Sequence, residues 1–203
     1  MEHPNGSGVV KFRGTAVDVH NIESLQFSKP EANVLLSGPS VGEIRDARLL
    51  FNRFLVVVNG SHELFDEKVR EIDVYVVSDP GFVKRKFEIF KRGILKSRRV
   101  VLDHHIIHAA LTRDQHIFDD TELYVVTDLA RPFMRNRGFE KKIPNNGVIE
   151  CYGVRFSTSP STGFYSNSTV AISVVQILYW LKCQKIYLFG MDLNSNGRFY
   201  QEQ

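Results

Sequence analysis

The stretch of sequence that decides the fold is Lys185-Ile186-Tyr187-Leu188-Phe189-Gly190-Met191-Asp192, near the end of the 203-residue chain. Its apolar residues are typical of a buried strand, and Asp192 comes where that strand ends. The apolar segment Val170–Leu181, which precedes it, is predicted to be an amphipathic helix. Because ligands bind at the carboxyl ends of strands in open α/β sheets, Asp192 is predicted to line a ligand site.

A loop of small residues, Ser161-Thr162-Gly163, lies ahead of this predicted helix. A helix that starts just beyond the loop offers unpaired N–H groups and the positive end of its dipole to an anion. Gly163 lacks a Cβ, so the backbone can approach a ligand closely. As a loop position ahead of a helix, Gly163 is expected to tolerate a larger side chain unless something packs there, so Gly163→Val should reduce donor binding far more than folding.

Strand and helix patterns alternate along the chain before this region. This alternation predicts an α/β, Rossmann-like fold with a mostly parallel twisted sheet and helices on both faces. Residues 1–32 are weakly patterned and are expected to be a partly flexible N-terminal segment, followed by one domain over residues 33–203. Residues 130–164 read as loop-rich. The predicted strands are 33–37, 54–58, 73–77, 99–102 and 122–126, and the predicted helices are 41–51, 82–95 and 104–111.

Small or amide-bearing residues follow three of the predicted strands. They form the turns Ser37-Gly38-Pro39-Ser40, Asn59-Gly60-Ser61 and Ser78-Asp79-Pro80. Since the carboxyl ends of parallel strands converge on one edge of a sheet, these turns are expected to lie near Asp192. Together they predict a nucleotide pocket.

The bulk composition is that of an ordinary globular protein, with 43% hydrophobic and 24% charged residues. Cys151 and Cys183 have no metal-binding spacing and imply no disulfide framework. We find neither the pattern of a signal peptide nor an apolar run of about 18 residues that would span a bilayer. We therefore expect a cytoplasmic protein.

A run of cations lies between Lys84 and Arg99, with Glu88 as its one acid. This run is either the solvated face of a helix or a surface that weakly attracts an anionic membrane or a phosphorylated acceptor. Nucleic acid is not expected as a partner, because no binding motif accompanies the run. The cations are Lys84, Arg85, Lys86, Lys91, Arg92, Lys96, Arg98 and Arg99.

The motifs at Ser37–Ser40, Asn59–Ser61, Thr162-Gly163 and Tyr187–Asp192 resemble two related groups of bacterial glycosyltransferases. One group is the lipooligosaccharide sialyltransferases (glycosyltransferase family 42-like). The other, with the closer similarity, is the lipopolysaccharide-core transferases that add a third Kdo (3-deoxy-D-manno-octulosonic acid). The similarity covers roughly residues 30–200.

This resemblance implies a CMP-activated 2-keto sugar acid as donor, either CMP-Kdo or CMP-sialic acid, and no further cofactor. It implies inversion at the anomeric carbon and an acceptor in lipopolysaccharide or lipooligosaccharide, with the enzyme peripheral at the inner membrane. It places Gly38, Pro39 and Ser40 in the CMP site, Asn59 against the phosphate or nucleotide, and Asp192 near the cytidine ribose. Ser161, Thr162 and Gly163 would hold the donor, Tyr200 would steady the departing phosphate, and Asp79 stands where the sialyltransferases have Asn.

The chain departs from both groups beyond the Asp192 motif, where they continue for roughly a third of their length. By the resemblance, an acceptor lid and a histidine base are therefore expected to be missing, and Asn194 replaces a phosphate-contacting tyrosine. An inactive CMP-binding module and an unrelated Rossmann-like enzyme are alternatives, although the Gly-x-Gly-x-x-Gly fingerprint is absent at the first turn.

Histidines after the strand that ends near Asp103 are candidates for the base that the acceptor hydroxyl needs. His104, His105 and His108 read as a base, as a metal cluster or as ordinary helix residues, and we take His105 as the catalytic candidate. His62 is expected at the surface. Asp119-Asp120 reads as a turn, and we predict no required metal.

Overall fold

In a computed structural model, the chain is described over residues 8–66, 71–130, 147–159, 163–166 and 169–192. Ten strands and four α-helices occur in these ranges. The strands are β1 (Gly8–Phe12), β2 (Thr15–Asn21), β3 (Glu31–Leu35), β4 (Phe54–Val58), β5 (Val74–Val77), β6 (Arg99–Asp103), β7 (Glu122–Val126), β8 (Val148–Cys151), β9 (Val154–Ser157) and β10 (Lys185–Phe189). The helices are α1 (Pro80–Arg85), α2 (Phe87–Leu95), α3 (His104–Arg113) and α4 (Val170–Trp180).

Eight strands form one sheet in the order β1-β2-β7-β6-β5-β4-β3-β10. Every neighbouring pair is parallel except the β1–β2 hairpin, and β8 and β9 form a separate antiparallel pair. The central strand β4 is buried along its whole length, because helices or turns cover both faces of the sheet.

The two faces of the sheet pack into two hydrophobic clusters. On one face, alternate residues such as Leu55 and Leu102 pack with Phe90 of α2 and Ile106 of α3. On the other face, residues such as Val56 pack with the apolar side of α4. The predicted α/β, Rossmann-like fold with helices on both faces of a mostly parallel sheet is confirmed.

Two predicted helices differ from the structure. The segment 41–51 forms two short 3-10 helices, Pro39–Glu43 and Ala47–Asn52, rather than one α-helix. Asp46 separates them because its carboxylate accepts a hydrogen bond from the Arg48 N–H and so competes with helical backbone bonding. The segment 82–95 is divided into α1 and α2 at Lys86, whose backbone leaves helical dihedrals at φ −128° and ψ 46°.

Two hairpins lie where the sequence pattern was weak. β1 and β2 form within the first 32 residues, and β2 joins the main sheet through β7. The β8–β9 hairpin lies in the segment read as loop-rich. Short strands of mixed polarity leave little periodicity, so neither hairpin could be recognised from alternation alone.

Candidate functional site

The direction in which the chain crosses the sheet reverses between β3 and β10. From β3 the chain runs to β4, β5, β6 and β7 in order, with α1, α2 and α3 on one face. It then returns through α4 on the opposite face and places β10 on the other side of β3. Such a reversal opens a crevice at the carboxyl ends of the two strands, which is where open α/β sheets bind ligands.

Two predicted site segments, Gly38–Ser40 and Asp192, meet at this crevice. The Ser40 backbone N–H and the Ser40 hydroxyl both donate to Asp192 Oδ2, at 3.1 and 2.9 Å. The backbone N–H of Gly38 donates to the carbonyl of Gly190 at 3.0 Å. Since both strand ends are tied by these bonds, the exposed carboxylate of Asp192 is held at the mouth of the crevice.

Close packing at the crevice depends on two glycines. A Cβ at Gly38 would come 2.0 Å from Asp192 Oδ2 and 2.5 Å from the Gly190 carbonyl oxygen. Gly190 has a φ of +71°, and a Cβ there would come 2.3 Å from Val41. In the sequence, Gly190 stands out only as part of the motif Tyr187–Asp192. Pro39 begins the 3-10 helix that carries Ser40 toward Asp192.

Asn59 ends β4, one strand away from Gly38. Its backbone is left-handed at φ +48°, a conformation that Asn adopts more readily than most residues. The residue is 6% exposed, and its Oδ1 is buried with no hydrogen-bond partner among the described residues. Beside it, the Ser61 hydroxyl lies 2.7 Å from the Leu35 carbonyl oxygen of β3, so the turn after β4 is tied to the neighbouring strand end.

Asp79 lies at the end of β5 and caps α1. Its Oδ1 accepts a hydrogen bond from the Gly81 N–H at 2.8 Å, and Arg85 lies 3.4 Å from its Oδ2. Both carboxylate oxygens therefore have local partners. The predicted role of Asp79 in donor binding stays a prediction, beside this capping role.

Farther along the same edge lie two buried carboxylates, Asp103 as the last residue of β6 and Asp128 after β7, each 3% exposed. Asp103 Oδ1 caps α3 by accepting from the N–H groups of His105 and Ile106 at 2.7 and 3.0 Å. Burial raises the pKa of Asp103, and the nearby Asp128 carboxylate adds to this shift. Asp128 was missed in the sequence, although it follows its strand as the other site residues do.

His105 is the second residue of α3, at this part of the edge, and is half-buried. His104 is also half-buried, whereas His108 is exposed and packs edge-on against Phe12 at 5.3 Å. Within the described ranges, no group of three or more His, Cys, Asp or Glu side chains is arranged to hold a metal ion. His105 therefore stays a candidate base at the edge of the sheet.

Gly163 lies against β7 and not at a helix start. It precedes Phe164, whose N–H donates to the Thr127 carbonyl at 2.9 Å, and α4 begins only at Val170 with Thr169 as its cap. Gly163 has a φ of +104°, and a Cβ there would come 2.6 Å from the Thr127 carbonyl oxygen. The expectation that this position tolerates bulk was wrong, because the backbone packs closely there.

Three predicted site residues, Ser161, Thr162 and Tyr200, lie outside the described residues, as does Asn194. Their assignments rest on the sequence resemblance.

His62 is fully buried, so the expectation of a surface position was wrong. Its ring lies edge-on to Tyr75 at 5.5 Å, and its Nδ1 is 3.2 Å from Glu63 Oε1. Burial lowers the pKa of His62. Its place beneath the turn after Asn59 is a structural one, since helix α2 covers it.

The basic run of residues 84–99 is not one solvated face. Lys96 is 4% exposed and donates to backbone carbonyls of His62 and Phe65. Four other cations of the run are paired with acids, as Arg85–Asp79, Lys91–Asp114, Arg92–Glu63 and Arg99–Glu122. Among the described helices, none is long and apolar enough to cross a membrane.

Two bacterial proteins are similar to this chain, and each is described as a probable 3-deoxy-manno-octulosonic acid transferase. The protein of Escherichia coli K12 is 26% identical over an alignment of length 207, which covers 92% of this chain and 70% of the relative. The protein of Salmonella typhimurium LT2 is 27% identical over an alignment of length 187, which covers 83% of this chain and 67% of the relative. No family model matches the chain, and no solved structure matches it significantly. The predicted resemblance to Kdo transferases, and with it the glycosyltransferase class, is confirmed.

Proposed function

We propose that this chain transfers Kdo from CMP-Kdo to a lipopolysaccharide acceptor, with inversion at the anomeric carbon of the sugar. The observation that carries the proposal is the Ser40–Asp192 contact at the crevice between β3 and β10. The similarity to two named Kdo transferases supports the choice of sugar. The CMP activation, the acceptor and the inversion come from the resemblance.

The crevice offers groups that suit a nucleoside. Ser40 donates hydrogen bonds to Oδ2 of Asp192, while Oδ1 accepts no hydrogen bond from the described residues. A ribose has hydroxyl donors that an exposed carboxylate oxygen can accept. The Oδ1 of Asn59 is buried and unpartnered, and a hydroxyl or amino group of the nucleoside, unlike a phosphate oxygen, would supply the donor that it lacks once the turn admits the ligand.

In the proposed reaction, an acceptor hydroxyl oxygen bonds to the anomeric carbon of Kdo while the bond from that carbon to the CMP phosphate breaks. The bonding pair leaves with CMP, and the hydroxyl proton passes to a base. We assign the base to His105, which lies at the same edge of the sheet, and the stabilisation of the departing phosphate to Tyr200. Ser161 and Thr162 are proposed to contact the donor, with Gly163 shaping the backbone beside them.

The acceptor is proposed to lie at an anionic inner-membrane surface, with the enzyme peripheral to it. Exposed cations such as Lys84 would contribute weak attraction, on the order of 1 kcal/mol for each well-placed cation. Because four of the eight cations are paired with acids and Lys96 is buried, we expect this attraction to be small.

The test is donor turnover measured as CMP release. CMP-Kdo and CMP-sialic acid are each incubated with a lipid-A-bearing acceptor and with a galactosylated acceptor. We expect release from CMP-Kdo with the lipid-A-bearing acceptor, and loss of that release in Asp192→Asn. Turnover of CMP-sialic acid alone would identify a sialyltransferase. CMP binding without turnover of either donor would identify an inactive CMP-binding module.

A further inference from the structure

We propose that helix α2 positions Asn59 for the nucleotide, through Arg92 within the helix and Lys96 just after its end, which hold the turn that follows Asn59. The inference rests on the proposed function, because it assumes that Asn59 contacts the donor. Asn59 has a left-handed backbone, which costs free energy unless surrounding contacts fix it. The next residues, Ser61–Leu64, form a 3-10 helix, and contacts to that helix therefore decide how Asn59 is presented.

Arg92 fixes the outer side of this turn. Its Nε and Nη2 donate to Oε1 and Oε2 of Glu63, at 3.1 and 2.9 Å, so that the guanidinium and the carboxylate form a two-bond pair. The hydrogen bond with His62 and the pair with Arg92 lower the pKa of Glu63 to about 2. A two-bond pair restricts orientation as well as distance, so Glu63 holds the turn in one position.

Lys96 fixes the inner side of the same turn. Its ammonium is buried and donates to the carbonyl of His62 at 3.3 Å and to that of Phe65 at 2.8 Å. These carbonyls lie within and just after the 3-10 helix, so one side chain ties two points of the turn. Burying an ammonium group is costly, and such a group persists where its hydrogen bonds are needed.

Gly93 lets α2 come close enough for both contacts. A Cβ at this position would come 2.5 Å from the Tyr75 ring and 2.7 Å from His62 Cδ2. Arg92, Gly93 and Lys96 thus place the C-terminal half of α2 directly against the turn. The cations that looked like a basic surface in the sequence act here on the strand end that carries Asn59.

The same helix provides a matched control. Lys91 precedes Arg92 and forms a similar ion pair, but its partner is Asp114, which lies after α3 and away from the Asn59 turn. Arg92→Leu and Lys91→Leu each remove one cation and one partly exposed ion pair from α2. Only Arg92→Leu removes the ion pair that holds Glu63.

The experiment measures CMP affinity by calorimetry and KM and kcat for CMP-Kdo, with thermal unfolding recorded for each variant. We expect Arg92→Leu to weaken CMP binding about tenfold, equivalent to roughly 1.4 kcal/mol, and Lys91→Leu to change it less than about twofold. KM for CMP-Kdo should rise in parallel, and Arg92→Lys should restore part of the affinity. Similar CMP affinity in Arg92→Leu and Lys91→Leu would overturn the proposal.

A double-mutant cycle with Asn59→Ala separates positioning from a general loss of packing. If Arg92 acts through Asn59, Arg92→Leu should weaken CMP binding no further in an Asn59→Ala background. Additive losses would overturn the positioning role. If Asn59→Ala itself leaves CMP affinity unchanged, the assigned role of Asn59 in the proposed function fails instead. Lys96→Met repeats the cycle from the buried side, and Arg92→Leu alone decides the matter if Lys96→Met does not fold.

Discussion

The two ends of the carboxyl edge of the sheet carry the same kind of residue in different surroundings. At the β3–β10 end, the carboxylate of Asp192 is exposed and is held by Ser40. Four and five strand spacings away from β10, or about 19 and about 24 Å, Asp103 and Asp128 are almost fully buried at the β6–β7 end. A carboxylate at a strand end can therefore serve either of two purposes. An exposed carboxylate is available to a ligand, whereas a buried one is used within the fold, for instance to cap a helix.

The largest effect on stability is expected from a glycine at the β6–β7 end of the edge, where the two carboxylates are buried. Gly163→Ala should lower the free energy of unfolding by about 2–4 kcal/mol, because it combines a positive φ with a Cβ against the Thr127 carbonyl oxygen. Urea unfolding followed by circular dichroism measures this loss. Unfolding at the wild-type urea concentration would show that the strand end is not closely packed.

Gly38→Ala, at the other end, should act on ligand binding more than Gly163→Ala does. Its Cβ would collide with Asp192 and with the Gly190 carbonyl. We expect these two groups to move apart at the crevice while the rest of the fold stays in place. We expect CMP affinity to fall at least about tenfold while the protein remains folded. Calorimetry on the folded variant checks this, and wild-type affinity would remove Gly38 from the site.

The Asp192 carboxylate itself should have the next largest effect. Asp192→Asn keeps the size of the side chain and a carbonyl that Ser40 can reach, but it removes the charge. We expect a loss of about 1–3 kcal/mol in CMP binding, as for a hydrogen bond to a charged group. Asp103→Asn is the matched control at the buried end, where equal losses of affinity would refute the distinction between the two ends.

The carboxylate of Asp103, at the β6–β7 end, should instead affect how the stability of the protein depends on pH. The pKa of Asp103 is raised in the folded state, so its contribution to stability is full below about pH 3.8 and is lost as the pH rises through the folded pKa. Asp103→Asn should remove this loss, so its stability relative to wild type should increase as the pH rises. Parallel stability curves for the two proteins, measured by urea unfolding, would contradict this assignment.

Glu63 should show the opposite and smaller dependence. Its pKa is lowered to about 2, so its stabilisation is present above about pH 4.5 and is lost as the pH falls toward 2. Because Glu63 is partly solvated, we expect this contribution to be only about 1 kcal/mol. Glu63→Gln should flatten the acid limb of thermal stability, and an unchanged acid limb would show that the pair with Arg92 adds nothing.

Much of this arrangement could be predicted from the sequence, because buried parallel strands appear as apolar runs and their carboxyl ends lie at one edge of the sheet. Buried apolar runs such as Phe54–Val58 indicated the strands, and the polar residues after them, Gly38 to Ser40 and Asp192, were correctly expected at one edge. The burial of His62 and Lys96 could not be foreseen, since a charge in a helix pattern looks solvated until a neighbouring turn supplies its partners. The close packing of Gly163 on Thr127 depends on a contact 36 positions away, which no local pattern records.

The most direct test of the nucleotide site is hydrogen–deuterium exchange with and without CMP. We expect slower exchange at residues 38–41, 59–61 and 189–192 when CMP is bound. We expect unchanged exchange at residues 103–106 and 127–130, because CMP without its sugar does not reach the buried carboxylates there. Protection confined to these latter segments would contradict the assignment of the nucleotide to the crevice between β3 and β10.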